Sequence, residues 1–156
     1  MSKTIASSTK KVTVIDVDGA VMGRAASIIA KRLLDGEEII VVNAEKAIIS
    51  GKRKRVLERY RKKITEWVSY YNPKKNSPKF KRRPDLFFKR VVRGMLPWKT
   101  LKGRQAYKRL RVYIGFPEGI SKENVEKLAG AKLKNTKIPF VTLEELYRLL
   151  AGRVIE

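Results

Sequence analysis

The sequence of 156 residues has no cysteine and no histidine, and each absence removes a class of function. Without cysteine the chain forms no disulfide bond and offers no thiolate ligand to a metal ion. Without histidine it lacks the commonest general acid or base and the commonest metal ligand. We therefore predict no catalytic residue, no cofactor or metal site and no small-molecule substrate.

Long apolar runs are absent as well. No stretch approaches the roughly 18 apolar residues of a membrane-spanning helix, so we predict that the chain does not cross a membrane. Hydrophobic residues still make up 43% of the chain, which is enough for a buried core, and its length fits a single domain, 1–156. Residues 1–11 are small and polar with three lysines, lack the apolar core of a signal peptide, and predict a flexible basic tail.

Acidic residues are scarce in the middle of the chain. Residues 52–111 contain 23 lysines and arginines but only three acidic residues, so this segment carries +20 of the net charge of +22. The flanks on either side are almost neutral. So many like charges repel one another unless a polyanion neutralises them, and such a segment is typical of nucleic-acid-binding proteins.

A strand–helix–strand unit opens the folded part of the chain. β-Branched residues at 12–17 predict a strand, the helical period of apolar residues at 22–34 predicts a helix, and the apolar run 39–42 predicts a second strand. Because the links are short, the two strands should be parallel neighbours joined by a right-handed crossover. Further short strands are predicted at 47–49 and 111–114.

Three basic helices are predicted at 53–65, 84–93 and 101–110. Their core-facing positions are Val56, Leu57, Tyr60 and Ile64 in the first, Phe87, Phe88, Val91 and Val92 in the second, and Leu101, Tyr107 and Leu110 in the third. Their other faces carry lysine and arginine with almost no acidic residues. Ordinary solvated helices mix both signs of charge, so these faces favour a polyanionic partner.

The segment 67–83 has no clear period and interleaves aromatic residues with cations and two prolines. Two interpretations of its aromatic residues remain open. Either Trp67, Tyr70 and Phe80 pin the segment to the core, or aromatic rings of the segment stack on unpaired RNA bases. Its cations at 74–83 are predicted to bind RNA phosphates in either case.

Two weaker patterns have plainer explanations. The loop 19–24 lies between a strand and a helix, as a phosphate-binding loop does, but it matches neither glycine-rich consensus and predicts a tight turn. Arg24 at the helix start opposes the helix dipole, which indicates an anionic neighbour outside the chain. Asp16 and Asp18 lack a third ligand and predict turn or capping roles. Glu45 and Lys46 are expected to form a local turn contact within residues 43–46.

The end of the chain, 118–156, is predicted to be a helical extension. Thr142 and Glu145 have the spacing of a capping box at the start of a helix. The apolar residues that follow recur at helical spacing: Leu143, Leu146, Tyr147 and Leu150. Gly152 is expected to end this helix.

Several blocks of the sequence, in collinear order from Val12 to Pro117, are similar to one protein family. The blocks are residues 15–19, 22–27, 30–31, 41–46, 50–52, 93–97 with Lys99, 103–104 and 110–115. The most distinctive is Arg93-Gly94-Met95-Leu96-Pro97 with Lys99 and Gly103-Arg104. Together they resemble the universal ribosomal protein L-thirteen family of the large subunit. The segment after Trp67 and the tail after Pro117 resemble its archaeal branch.

The resemblance implies an α/β fold of three layers, α/β/α, around a mostly parallel four-stranded sheet, with basic helices and a long basic loop. It also implies a cytoplasmic, non-catalytic protein that binds large-subunit ribosomal RNA, contacts neighbouring large-subunit proteins, and contributes to subunit assembly and translation. Residues 94–99, Gly103 and Arg104 would then lie at the RNA surface. Residues 52–55 would begin a helix that faces RNA.

The full prediction for RNA-binding residues combines these cations, aromatic residues and family positions. They are Arg24, Lys52, Arg53, Lys54, Arg55, Arg59, Lys62, Lys63, Tyr70, Tyr71, Lys74, Lys75, Lys79, Lys81, Arg82, Arg83, Lys89, Arg90, Arg93, Gly94, Pro97, Trp98, Lys99, Lys102, Gly103, Arg104 and Lys108. Two other functions remain as alternatives. One is a nucleotide-using or RNA-modifying enzyme built on the strand–helix–strand unit, and the other is a non-specific DNA-coating protein.

Overall fold

A parallel sheet lies at the centre of the computed structural model, which describes residues 12–120, 125–133 and 137–151. The strands are β1 (Val12–Asp16), β2 (Glu38–Val42), β3 (Ile48–Ser50), β4 (Leu110–Val112), β5 (Val125–Lys127) and β6 (Phe140–Thr142). The sheet has the order β4-β2-β1-β5, and every neighbouring pair in it is parallel. Helices flank the sheet, which confirms the predicted α/β/α fold.

Two strands from the start of the chain form the middle of this sheet. Val14 of β1 lies opposite Ile40 of β2 and Val125 of β5, and Ile40 lies opposite Arg111 of β4. The β-branched side chains of β1 and β2 suit extended backbone, and their burial stabilises the sheet by about 25 cal/mol per Å² of apolar surface. The strands predicted at 12–17 and 39–42 are confirmed, whereas β5 was not predicted.

The helices are α1 (Met22–Asp35), α2 (Arg53–Thr65), α3 (Pro73–Asn76), α4 (Pro84–Met95), α5 (Leu101–Lys108) and α6 (Leu143–Ala151). α1 joins β1 to β2 and packs against α4 and α5, and three of its five buried residues are alanines. Small side chains at such a contact let helices approach closely. None of the helices in the described ranges is long and apolar enough to cross a membrane.

The inner faces predicted for α2 and α4 are confirmed. Their buried residues are Val56 in α2 and Pro84, Phe87, Phe88 and Val92 in α4. The prediction for α5 is wrong at Leu101, whose side chain is 70% exposed. The buried residues of α5 are instead Gly103 and Ala106, and at Gly103 a side chain would collide with the backbone of Pro97.

The last part of the chain supplies two strands as well as a helix. β5 is an edge strand of the parallel sheet, and β6 pairs with β3 in a separate antiparallel ladder in which Ile49 lies opposite Val141. The prediction that 118–156 is a helical extension did not include either strand. At the start of α6, the Thr142 hydroxyl accepts a hydrogen bond from the Glu145 backbone N–H at 3.2 Å, which confirms the predicted cap. Gly152 and the predicted tail at 1–11 lie outside the described residues.

An ion pair fastens the edge strand β5 to α1. The Arg32 guanidinium donates two hydrogen bonds to the Glu126 carboxylate, at 2.7 and 2.6 Å. These bonds raise the pKa of Arg32, so the guanidinium stays charged. Both side chains are partly shielded from solvent, at 29% and 43% exposure.

The substitution Glu126→Gln tests this ion pair. We expect the free energy of unfolding to fall by about 0.5 kcal/mol, the usual size for a paired charge near the surface. Urea unfolding would measure the loss, and repeating it in about 1 M salt should shrink the difference because salt screens the pair. An equal loss at both salt concentrations would show that Glu126 acts by packing or neutral hydrogen bonding.

Candidate nucleic-acid interface

The outer face of α2 is almost entirely basic. Exposed cations precede and follow its single buried residue: Lys52, Arg53, Lys54, Arg55, Arg59, Arg61 and Lys62. Arg53 is partly neutralised by Glu145 of α6, with its Nε 2.9 Å from a carboxylate oxygen. Lys62 approaches Glu58 only to 3.9 Å. The remaining charges have room for phosphates from outside the chain.

The segment 67–83 has local structure that the sequence did not reveal. It contains the single-turn helix α3, entered through Asn72 in a left-handed conformation with φ of 46°. The Ser69 backbone N–H donates to the Ser77 hydroxyl at 3.0 Å, and the Asn76 side-chain amide donates to the Tyr71 carbonyl at 3.2 Å. These hydrogen bonds fold the segment back on itself. Its cations therefore project from a backbone of defined conformation.

The aromatic residues of this segment divide between the two interpretations. Phe80 packs edge-on or tilted against Tyr60 of α2 and Phe87 of α4, with ring centres 5.8 and 5.5 Å away, so it anchors the segment to the core. Tyr70 and Tyr71 are exposed, and Trp67 is 59% exposed. The anchoring interpretation is therefore confirmed for Phe80 and wrong for Trp67 and Tyr70.

Aromatic rings and cations contact one another in a row at the corner where α4 is followed by α5. The Arg93 guanidinium carbon lies 3.8 Å from the centre of the Trp98 ring, and Trp98 meets Tyr107 edge-on with ring centres 5.1 Å apart. The Lys89 Nζ atom lies 5.1 Å from the centre of the Tyr107 ring. Trp98, predicted to bind RNA, is half-buried here and holds Arg93 in place.

Backbone carbonyls complete this corner. The Arg104 guanidinium donates to the Trp98 carbonyl at 3.3 Å and to the Lys99 carbonyl at 3.1 Å. Two residues that the sequence predicted at the surface, Gly94 and Pro97, are exposed. Cations fixed by stacking and backbone hydrogen bonds lose little side-chain entropy when they bind a phosphate.

The structure corrects the prediction for Gly103, which is buried. A Cβ atom placed there would lie 2.1 Å from the Pro97 carbonyl oxygen. The Thr100 hydroxyl accepts a hydrogen bond from the Gly103 N–H at 3.3 Å and donates one to the Pro97 carbonyl at 2.8 Å. Gly103 therefore lets the start of α5 pack against the preceding turn, and only its neighbour Arg104 lies at the surface.

The other predicted residues divide by exposure. Those that are exposed are Arg24, Lys74, Lys75, Lys79, Lys81, Arg83, Arg90, Lys99, Lys102 and Lys108. Those that are partly buried are Lys63, Arg82, Lys89 and Arg93. Arg83 forms an ion pair with Asp85 at 2.9 Å, and Arg24 donates a hydrogen bond to the Lys132 carbonyl at 3.2 Å. Both guanidinium groups therefore already have one partner within the chain.

The loop 19–24 forms a turn and offers no phosphate cradle. Gly19 has a φ of 66°, and the Val21 backbone N–H donates to the Ala131 carbonyl at 2.8 Å, so the start of α1 is closed by a later segment. Asp16 accepts hydrogen bonds from the Asp18 N–H and the Asn43 side-chain amide, which confirms its turn role. Within the described ranges, no three acidic residues cluster in a way that could hold a metal ion.

Two exposed cations are absent from the residues predicted to bind RNA. Arg61 and Arg111 are exposed cations beside the predicted set, and the outward phase of α2 was the signal that could have identified Arg61. Arg109, by contrast, is half-buried and donates to the Leu33 carbonyl at 2.7 Å, which is a structural role. The turn predicted at Glu45 and Lys46 forms, with the Lys46 N–H donating to the Asn43 carbonyl at 3.0 Å. The Glu45 side chain is not part of it and instead accepts from the Gly115 N–H at 2.9 Å.

Comparison with known proteins gives consistent matches. The family model of ribosomal protein L13 matches residues 10–119. A Methanopyrus kandleri protein named large ribosomal subunit protein uL13 is 50% identical over 137 residues, covering 86% of this chain and 83% of that protein. Proteins of the same name from Archaeoglobus fulgidus and Methanocaldococcus jannaschii are 48% and 43% identical, each covering 90% of this chain and 88% and 98% of their own lengths.

Proposed function

Because the chain belongs to the ribosomal protein L13 family, we propose that it is a structural component of the large ribosomal subunit that binds large-subunit rRNA. The basic surface within residues 52–111 would make the RNA contacts. The protein would work without catalysis in the cytoplasm, beside neighbouring large-subunit proteins, and would contribute to subunit assembly and translation. The comparisons with archaeal relatives named as large-subunit proteins support this role.

One observation supports RNA binding above the others: the cations of α2, α4, α5 and the segment 67–83 face outward with few acidic partners. Arg55, Arg59 and Arg90 are exposed, and none of them has a carboxylate partner within the described residues. Unpaired charges held on one molecule repel each other, and RNA phosphates relieve that repulsion. Binding then releases the counterions that the RNA had condensed, which drives association.

The local structure favours folded RNA over a generic polyanion. Arginine presents a planar fork that binds phosphate oxygens in pairs, and the stacking of Arg93 on Trp98 fixes one such fork in advance. Cations held at fixed spacings match only certain arrangements of phosphates. Recognition of double-stranded RNA depends largely on shape, so we expect a folded rRNA site to be preferred over a duplex of equal charge.

A salt titration of binding to archaeal large-subunit rRNA, with duplex DNA of equal length as competitor, tests the proposal. We expect rRNA binding to survive excess DNA and to weaken by at least about a hundredfold between about 50 and 200 mM salt, because several phosphates are neutralised. Filter binding would measure both. If DNA competes as well as rRNA at every salt concentration, only charge is recognised and the protein coats DNA or RNA without specificity.

A further inference from the structure

A pocket of about 360 Å³ lies between α2, the segment 67–83 and α4. Its volume falls within the range of roughly 300–1,000 Å³ that is usual for small-ligand sites, and one nucleoside would fit. Its apolar wall is the group formed by Tyr60, Phe80 and Phe87, whose ring centres are 5.4 to 5.8 Å apart. Because these rings pack on one another, the wall exists before anything binds.

Trp67 forms a further side of the same pocket and is much more exposed than the three rings of the wall. The Lys63 ammonium lies between Tyr60 and Trp67, 5.3 Å and 5.6 Å from the two ring centres. Burial raises the pKa of Tyr60, so its phenol remains neutral at physiological pH and adds no negative charge to the pocket. The pocket is thus aromatic inside, with an indole at its edge.

The charge around the pocket is positive. Four cations from three parts of the chain line it: Lys63, Lys79, Lys81 and Arg90. Among the described residues that line the pocket none is acidic, and none of the four cations has a carboxylate partner in the described ranges. The occupant that complements this surface is flat, aromatic and joined to anionic groups.

We propose that this pocket receives one unpaired base of large-subunit rRNA, which stacks on Trp67 while the four cations bind the phosphates on either side. The inference rests on the proposed function and assigns part of the RNA site to a particular cavity. Stacking on an aromatic side chain suits any base, and unpaired bases in loops and bulges are the usual targets of proteins that recognise RNA. An apolar peptide side chain would fill the wall but leave all four cations unpaired.

A single-tryptophan variant makes the pocket observable. The chain has two tryptophans, and Trp98→Phe leaves Trp67 alone while keeping a ring for Arg93 to stack on. At saturating archaeal large-subunit rRNA we expect the Trp67 emission to lose most of its intensity and to become protected from acrylamide, because a stacked base quenches and covers the indole. Filter binding of the same samples shows separately whether the rRNA is bound.

A second variant, Trp67→Ala, removes the stacking surface without removing a charge. We expect rRNA affinity to fall by on the order of tenfold, with the salt slope unchanged because the phosphate contacts remain. Tyr147→Ala is the matched control, since Tyr147 is a partly exposed aromatic residue that does not line the pocket. Dimethyl sulfate probing of the complexes should show one short unpaired segment that is protected by the wild type and by Tyr147→Ala but not by Trp67→Ala.

The outcomes separate this inference from the function on which it rests. If rRNA binds while Trp67 emission and acrylamide quenching stay unchanged, or if Trp67→Ala binds as well as Tyr147→Ala, the pocket holds no base and only the proposed function stands. A Trp67 signal that changes in assembled subunits but not with rRNA alone would assign the pocket to a neighbouring protein. If the wild type binds no rRNA at all, the proposed function and the pocket proposal both fail.

Discussion

Replacing Gly103 with alanine is expected to destabilise the protein by about 3 kcal/mol, at the upper end of what overpacking in a core usually costs. The new methyl group would lie 2.1 Å from the Pro97 carbonyl oxygen and 2.6 Å from its carbonyl carbon. Both are backbone atoms, so the start of α5 must move as a unit. That movement also breaks the hydrogen bond from Gly103 to Thr100, and the loss of such a helix cap costs about 1 kcal/mol.

Gly94→Ala is the matched control for this substitution. Gly94 also lies in a helix, within α4, but it is exposed and a Cβ atom there would meet nothing within 4 Å. We expect alanine at this position to raise the free energy of unfolding by about 0.5–1 kcal/mol, because glycine is a poor helix former. Urea unfolding of both variants would measure the difference. Equal stability of the two would show that α5 can shift at little cost.

Changing Arg55, Arg59 and Lys62 together to glutamine is expected to weaken rRNA binding by on the order of a hundredfold at low salt. Each lost phosphate contact should also make the slope of log affinity against log salt shallower by about 0.7–0.9, or about two to three for the triple variant. The fold should be little affected, because all three side chains are exposed on α2 and glutamine is a good helix former.

A second triple variant controls for total charge. Lys31, Lys46 and Lys132 are exposed, lie outside residues 52–111, and lose the same three charges when changed to glutamine. We expect this control to change rRNA affinity far less than the α2 variant, with circular dichroism confirming that both are folded. Equal losses in the two variants would mean that RNA senses only the net charge, and an unaffected α2 variant would mean that α2 faces solvent or protein.

Secondary structure was predicted best for elements whose residues show a clear periodicity or apolar run within the element itself. The bounds predicted for α2, 53–65, are those of the structure, because its apolar and basic residues alternate with the helical period over three turns. The strand β2 was likewise predicted from its own short run of apolar residues. The location of the basic surface followed from composition, since charges of one sign are kept outside by the cost of burying them.

The features that the sequence did not predict depend on partners far along the chain. β5 and β6 have three residues each, too few for any period, and they are strands only because β1 and β3 offer them ladders. Leu101 was predicted to face inward from its apolar character alone, and the close approach of Gly103 to Pro97, which are six residues apart, is not visible in a helical period. The structural role of Trp98 became clear only from its contacts with Arg93 and Tyr107.

The order of strands in the sheet also bears on how the protein folds. β1 and β2 are joined by one helix, but β4 joins the sheet only after the whole basic segment between β2 and β4 has been looped out and brought back. Closing so long a loop is slow, and its self-repelling charges oppose the compaction that the step requires. We therefore expect completion of the sheet to be a late event in folding, and we expect it to become faster when salt or RNA phosphates screen these charges.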